Sequence, residues 1–295
     1  MADRQLIEPV KIQFAGIDAA EHRMDALLLG KSLSGIARVY NSVGHLHFHG
    51  QLRTSEHTDI RVQAGPPKPG TIWYLIYLMV VHGKMAVYPE LLFEAAGFVV
   101  PAFVKAIIAK KTGQGGEMDK ALDIIRHQSD QYHELASAMQ AAGVERERRA
   151  EQREDRLLGL VEMLATQNRG PLADLAAPVG RTVAEVRQLP HGIDPIVVDA
   201  PTAESLRSPE EVTVGETQRF RGTITALDTK TGAFKFEEAD SGRELRGKIT
   251  DPALTTPQNV YSHALDTKVA LALVAKPTLR ADGGIHKLFV SDATN

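Results

Sequence analysis

Residues 217–250, TQRFRGTITALDTKTGAFKFEEADSGRELRGKIT, decide the fold of the C-terminal part of the chain. Polar and apolar residues alternate in three runs, 217–227, 233–238 and 243–250, which is the pattern of strands buried on one face. The turn sequences Asp228-Thr-Lys-Thr-Gly232 and Asp240-Ser-Gly242 separate these runs. The stretch therefore predicts three consecutive antiparallel strands.

The residues that follow predict the rest of a small barrel. Asp251 and Pro252 indicate the start of a helix that extends to about residue 265, and two further strands are predicted at 268–275 and 285–291. Three strands, a helix and a two-stranded hairpin follow each other in the OB-fold, so we predict an OB-like five-stranded β-barrel. An SH3-like barrel is the alternative. The expected interior side chains are Ile224, Leu245, Ile249 and Leu273.

The first 189 residues predict strands and helices in mixed order. Strands are expected at 10–14, 45–52, 59–63 and 72–81, and helices at 20–43, with Asp18 as the N-cap, and at 89–111. From 117 onward, apolar or small residues recur at a 4-3 spacing that predicts a weak coiled coil: Met118, Leu122, Ile125, Ser129, Tyr132, Ala136 and Met139.

Four prolines between 190 and 209 predict a linker before the barrel. We therefore predict an α+β protein in four parts: an N-terminal mixed α/β domain (1–112), a helical, coiled-coil-like region (113–189), a linker (190–211) and the OB-like barrel (212–295).

The composition is that of a globular chain without cysteine. Of 295 residues, 34 are basic and 37 acidic, for a net charge of −3, so there is no basic surplus for a role based on nucleic-acid backbone contacts. The absence of cysteine excludes disulfides, thiolate metal sites and cysteine nucleophiles, and it fits a reducing compartment. The first residues, MADRQLIEP, lack the apolar core of a signal peptide. We expect a cytoplasmic protein.

The most apolar part of the chain is 72–109. Glu94, Pro101 and Lys105 interrupt it, and one charge near a bilayer centre costs about 2.5–3.5 kcal/mol on insertion scales. Residues 72–81 are too few to span a bilayer as a helix. We predict a buried strand and a buried helix and expect no membrane partner; a membrane-acting effector is the alternative for 72–109.

Three histidines alternate in His45-Leu-His-Phe-His49. On a strand, His45, His47 and His49 share one face at a spacing of about 6.6–7 Å, and His57 follows on the next predicted strand. Histidine is a common zinc or copper ligand, so a metal-dependent enzyme is an alternative function. No carboxylate or partner for the ring N–H groups follows from the spacing. We therefore predict no metal and no cofactor.

No catalytic motif is predicted. Gly30-Lys31-Ser32 lacks the first glycine of a phosphate loop, because Asp25 stands in that position. No serine lies in a G-x-S-x-G sequence. The sequence therefore gives no catalytic residue.

The ligand surface predicted for the barrel is the outer face of its second and third strands, with the loops 228–232 and 278–284. The cations expected there are Lys230, Lys235, Arg246 and Arg280. Phe234 and Phe236 share one face and are expected in the core; the alternative makes them platforms for stacked bases. Residues 216–295 hold eleven basic and ten acidic residues, so a protein is favoured over nucleic acid as the partner.

Two segments, Ala177-Pro-Val-Gly-Arg-Thr182 and Arg246-Gly-Lys-Ile-Thr-Asp-Pro252, resemble a bacterial protein family that combines an N-terminal α/β domain with a C-terminal OB-like barrel. The resemblance implies no known chemistry, and it alone suggests a role in bacterial antiviral defence. Our functional hypothesis is a non-enzymatic binding and assembly protein, which forms homo-oligomers through the first two regions and binds a partner with its barrel.

Overall fold

The structure, a computed structural model, describes residues 4–6, 9–49, 60–65, 72–81, 89–138, 146–208, 211–281 and 283–294. The described residues form two compact units, Met1–Val198 and Asp199–Asn295. The helices are α1 (Ala26–His49), α2 (Pro89–Thr112), α3 (Gly115–Ala138), α4 (Arg146–Gln167), α5 (Arg169–Leu175), α6 (Ala200–Arg207) and α7 (Val260–Thr267). The strands of the first unit are β1 (Arg4–Leu6), β2 (Val10–Ala15), β3 (Ile60–Ala64), β4 (Trp73–Val81), β5 (Glu185–Leu189) and β6 (Ile196–Val198).

An antiparallel sheet is built around β4. Ile76 pairs with Ala64 of β3 on one edge and with Val10 of β2 on the other, and β1 continues beyond β2 along that second edge. β5 pairs with β2, and β6 pairs with β5. The chain therefore returns to its first sheet after four intervening helices.

One face of this sheet packs against helices. Val10, Ile76 and Leu78 of the sheet line a small apolar space together with Tyr40 of α1 and residues of α2 that include Val100. Ile12, Phe14, Val186 and Val198 are also buried on this face. Alternate residues of the same strands point to the opposite face, because side chains alternate along a strand.

The second helix, α2, is enclosed by the other helices. It contacts α1, α3 and α4, and every side chain from Val99 to Ala109 is buried. Lys105 is buried among them, with its ammonium 2.8 Å from Glu117 Oε2 and 3.8 Å from Asp194 Oδ2. This burial accounts for the apolar character of 99–109. Across the described part of the chain, no helix is long and apolar enough to cross a membrane.

The strand predicted at 45–52 is wrong for 45–49, which belong to α1, and residues 50–52 lie outside the described residues. Val39, Val43 and Leu46 are buried at helical spacing. This helical pattern is longer than the alternation of the five residues 45–49, so it determines the secondary structure there. The start of α1 also differs from the expectation: Asp18 lies in a short 3-10 turn, and Asp25 Oδ1 accepts the N–H of Leu28 instead. His57 and the predicted loop 65–70, apart from Gly65, lie outside the described residues.

The bounds of the helical region differ from the expectation, and the coiled coil stays a prediction. Leu122 and Ile125, two residues of the predicted coiled-coil seam on α3, are buried in the first unit. Val161 and Leu164 of α4 are buried there as well, and both helices contact α2. The region predicted as helical to residue 189 ends in β5, and the predicted linker 190–211 contains β6 and α6. Pro201 lies in the first turn of α6, a position that tolerates proline because its missing N–H is not needed there.

The second unit contains a closed five-stranded barrel, which confirms the predicted α+β fold class. The six strands of this unit are β7 (Val212–Val214), β8 (Gln218–Leu227), β9 (Ala233–Glu238), β10 (Glu244–Ile249), β11 (Leu271–Arg280) and β12 (Ile285–Thr294). The barrel closes in the order β8-β9-β10-β12-β11, with β10 parallel to β12, the other pairs antiparallel and β7 added to β11. The predicted interior residues Ile224, Leu245, Ile249 and Leu273 are all in its core.

Candidate functional site

The structure brings together only two of the four cations predicted to bind a ligand. Lys235 of β9 lies directly opposite Arg246 of β10 on the outer face. Lys230 is in the loop after β8, and Arg280 is the last residue of β11. β8 and β11 are antiparallel neighbours, so the last residues of these two strands lie at opposite ends of the barrel. Lys230 and Arg280 therefore cannot contact one small ligand together, and the ligand-binding role of the four residues stays a prediction.

Acidic side chains balance the charge of this face. Glu244 Oε1 is 3.1 Å from Lys235 Nζ and 3.7 Å from Arg246 Nε. Glu237 pairs across the strands with Glu244, so the centre of the face holds both signs of charge. Exposed pairs of this kind contribute little to stability but do set which partner charges are accepted.

The two phenylalanines of β9 are in the core, as predicted. Phe234 and Phe236 are buried, and their ring centroids are 6.4 Å apart in an edge-to-face arrangement. The outward positions of β9 and β10 are occupied by Ala233, Lys235, Glu237, Glu244, Arg246 and Lys248. These two strands therefore present no aromatic side chain on which a base could stack.

The loop 228–232 is held by its own hydrogen bonds. Asp228 accepts from the hydroxyl of Thr231 at 2.7 Å and from the N–H of Lys230 at 2.9 Å, and these bonds hold the pKa of the Asp228 carboxyl below its usual value. Gly232 closes the loop with a φ of +74°. The second predicted loop is shorter than 278–284, because Thr278 is buried within β11 and the turn lies beyond Arg280.

The other side of the barrel is covered by α6. Ala203, Ser205 and Leu206 of α6 are buried, and the helix contacts β7 and β11. Glu204 forms an ion pair with Lys287, its Oε1 is 3.6 Å from His286 Nε2, and Asp199 Oδ2 is 3.3 Å from Lys276 Nζ. Burial would raise the pKa of the Glu204 carboxyl, but Lys287, Arg207 and His286 outweigh it and hold this pKa below its usual value. The outer face of β8, β9 and β10 is thus the more accessible side.

A second surface, which sequence reasoning missed, is the outer face of the first sheet. It carries Trp73, Leu75 and Tyr77 of β4 in alternating order, all partly exposed, and Trp73 is the chain's single tryptophan. The ammonium of Lys11 lies 4.7 Å from the centroid of the Trp73 ring. We call this face, with the outward residues of β2, β3, β5 and β6, the open sheet face.

The sequence did contain a signal for the open sheet face. In WYLIYLMVV, the residues of β4, both alternating sets are apolar, and such a pattern is typical of a strand covered on both sides. None of the described side chains that point to this face is buried.

The histidines of 45–49 do not form the three-histidine face expected of a strand. His45 and His49 are one helical turn apart with ring centroids 4.6 Å apart, whereas His47 contacts Phe48 edge-on at 5.0 Å. Within the described ranges, no three histidine, aspartate or glutamate side chains are grouped to hold a metal ion. The arrangement that motivated a metal-dependent enzyme is therefore not formed by these residues.

Comparison with known families adds to this geometry. Residues 10–207 match a family model described as a domain of unknown function (DUF7946), and residues 216–294 match a family of unknown function (DUF7947). The chain belongs to the DUF7946 family. No curated protein and no solved structure matches it.

The DUF7946 match does not end where the first compact unit ends. It continues to residue 207 and so includes α6, which packs in the second unit. The residues 216–294 that match DUF7947 include all five barrel strands but omit α6 and β7.

Proposed function

We propose that this DUF7946-family chain is a non-enzymatic binding and assembly protein. It self-associates through its N-terminal unit and binds a partner protein on the outer face of β8, β9 and β10. The observation that carries the proposal is the open sheet face, on which Trp73, Leu75 and Tyr77 form a partly exposed apolar row. Apolar rows of this kind on otherwise polar surfaces mark sites of protein association.

The barrel surface supports a protein partner over nucleic acid. Its outer face has Lys235 and Arg246 next to Glu244 and no aromatic platform on β9 or β10. Mixed charges of this type suit a partner with complementary acidic and basic groups, whereas a phosphate backbone needs a basic surplus. Lys230 lies in the loop between β8 and β9, at one end of this face, whereas Arg280 ends β11 opposite Val212 of β7.

We also propose that the chain is bacterial, lies in the cytoplasm and acts in antiviral defence. The bacterial origin and the role in defence rest on the resemblance of 177–182 and 246–252 to a bacterial protein family. The cytoplasmic location rests on the absence of cysteine.

The proposal predicts that the full-length chain is larger than a monomer in solution. Light scattering at micromolar concentration should give a mass that is a multiple of 32.1 kDa. The reason is that burying the apolar row removes its surface from water, which stabilises by about 25 cal/mol per Å² of apolar area. A constant mass of one chain over the accessible concentration range would contradict self-association.

A further inference from the structure

Two histidines lie side by side at the end of α1. His45 and His49 are four residues apart, and residues with this spacing are neighbours on the surface of a helix. Their ring centroids are 4.6 Å apart with 45° between the ring planes, and both side chains are partly exposed. The two imidazole rings are therefore close enough to contact one small ligand, and solvent reaches both of them.

The helical spacing of these rings suits a metal ion. The prediction of no metal concerned a strand, on which His45, His47 and His49 would share one face about 6.6–7 Å apart. On a helix, two histidines at positions i and i+4 share one face, which is the spacing with which helices of zinc enzymes hold their ion. Zinc–nitrogen bonds are about 2.0–2.1 Å long, so two bonds to one ion span at most about 4.2 Å between the nitrogens. Rings with centroids 4.6 Å apart can bring one nitrogen each within this span by rotation about the Cβ–Cγ bond, a torsion with broad preferences.

The position at the end of α1 favours a cation. His49 is the last residue of the helix, and the final carbonyl groups of a helix have no N–H partner within it. These carbonyls give the C-terminus a partial negative charge of about half an elementary charge, which stabilises a positive ion in the last turn. Imidazole nitrogen suits copper, zinc and nickel, whereas magnesium and calcium prefer oxygen ligands. The ion class that fits the two rings is therefore a divalent transition metal.

We propose that His45 and His49 chelate one divalent transition-metal ion, with copper(II) bound more tightly than zinc. His47 is not a ligand, because residues two apart do not share a helix face and its ring contacts Phe48 edge-on at 5.0 Å. Among the described residues no third histidine, aspartate or glutamate joins the pair, so water fills the other coordination positions. The ion joins two successive turns and thereby stabilises the end of α1. This site goes beyond the proposed assembly function and does not depend on it.

The test is isothermal titration calorimetry of the untagged, metal-free full-length chain with copper(II) or zinc chloride. We expect one ion to bind per chain, copper more tightly than zinc, and magnesium not to bind at the same concentration. His45→Ala removes one of the two ligands and should weaken binding at least about tenfold, because changing even a neighbour of a metal ligand costs about 10–100-fold in affinity. His47→Ala is the matched control, since it removes a histidine from the same turn and should leave the affinity unchanged.

A second variant and a thermal melt complete the test. His49→Ala should weaken binding as much as His45→Ala does, and the melts show whether each variant still folds. Zinc should raise the unfolding temperature of the unmodified chain and of His47→Ala, because an ion that binds only the folded chain stabilises it, and it should raise that of the other two variants less. Binding that survives both His45→Ala and His49→Ala, or that His47→Ala weakens equally, would place the ion elsewhere and overturn the proposal. An unmodified chain that binds neither ion would overturn it as well.

Discussion

Replacing Gly35 with alanine should separate α1 from α5 and destabilise the first unit by about 3 kcal/mol or more. A Cβ at this position would lie 2.4 Å from the backbone nitrogen of Leu175 and 2.5 Å from the carbonyl oxygen of Pro171. Backbone atoms cannot move away as a flexible side chain can, so the two helices must part. The buried hydrogen bond from the Ser32 hydroxyl to the Leu175 carbonyl, 2.8 Å long, would be lost with the packing.

Denaturant unfolding followed by Trp73 fluorescence measures this effect, because the single tryptophan is in the first unit. Gly30→Ala is the control on the same helix. An added Cβ there meets nothing within 4 Å, and alanine favours helix over glycine by up to about 1 kcal/mol. Gly35→Ala should therefore lower the unfolding midpoint and Gly30→Ala should leave it unchanged or raise it. Equal midpoints for the two variants would show that α1 and α5 do not approach this closely.

Replacing Gly247 with alanine should open the barrel between β10 and β12. Its Cβ would lie 2.1 Å from the carbonyl oxygen of Leu288 and 2.7 Å from Cε1 of Phe234. The added methyl group would therefore clash with the backbone of β12 and with a ring of the barrel core. We expect a loss of more than about 3 kcal/mol. Gly222 occupies a similar position on β8, with a Cβ 2.0 Å from the carbonyl oxygen of Glu237, and its replacement should have an effect of the same size.

Hydrogen exchange of the full-length chain, read in peptides from 217–294, measures the opening of the barrel without removing it from the protein. Gly242→Ala is the control: a Cβ there meets nothing within 4 Å, and its φ of +66° costs only about 1–2 kcal/mol. Protection of β10 and β12 that survives Gly247→Ala as well as it survives Gly242→Ala would contradict the closed barrel.

The barrel was predictable because its signals are local. Alternation along 233–238 and the turn residues on either side gave β9 with its observed bounds, and the four predicted interior residues are in the core. The end of β11 was missed because Pro277 interrupts the pattern, yet Pro277 lies between the residues that pair with β8 and those that pair with β7. A proline is tolerated where a strand needs no N–H donor on that edge.

The N-terminal unit was harder to predict because its sheet depends on distant pairings. Lys11 lies opposite Leu189, and nothing in the five residues of β5 reveals that partner. Residues 45–49 fit both a strand and a helix, and only the longer helical pattern of α1 separates the two. The candidate binding residues were likewise predictable only where local pairing places them. Lys235 and Arg246 are close because their strands are neighbours along the chain. The separation of Lys230 from Arg280 depends on the strand directions in the closed barrel.

The most direct measurement of the central claim is the emission of Trp73 during dilution of the full-length chain. If two copies bury the open sheet face against each other, the tryptophan enters water as they separate. The account predicts that the emission maximum moves to longer wavelength over the same concentration range in which the mass falls to 32.1 kDa. An emission maximum that stays constant while the mass falls would show that the copies associate through a different surface.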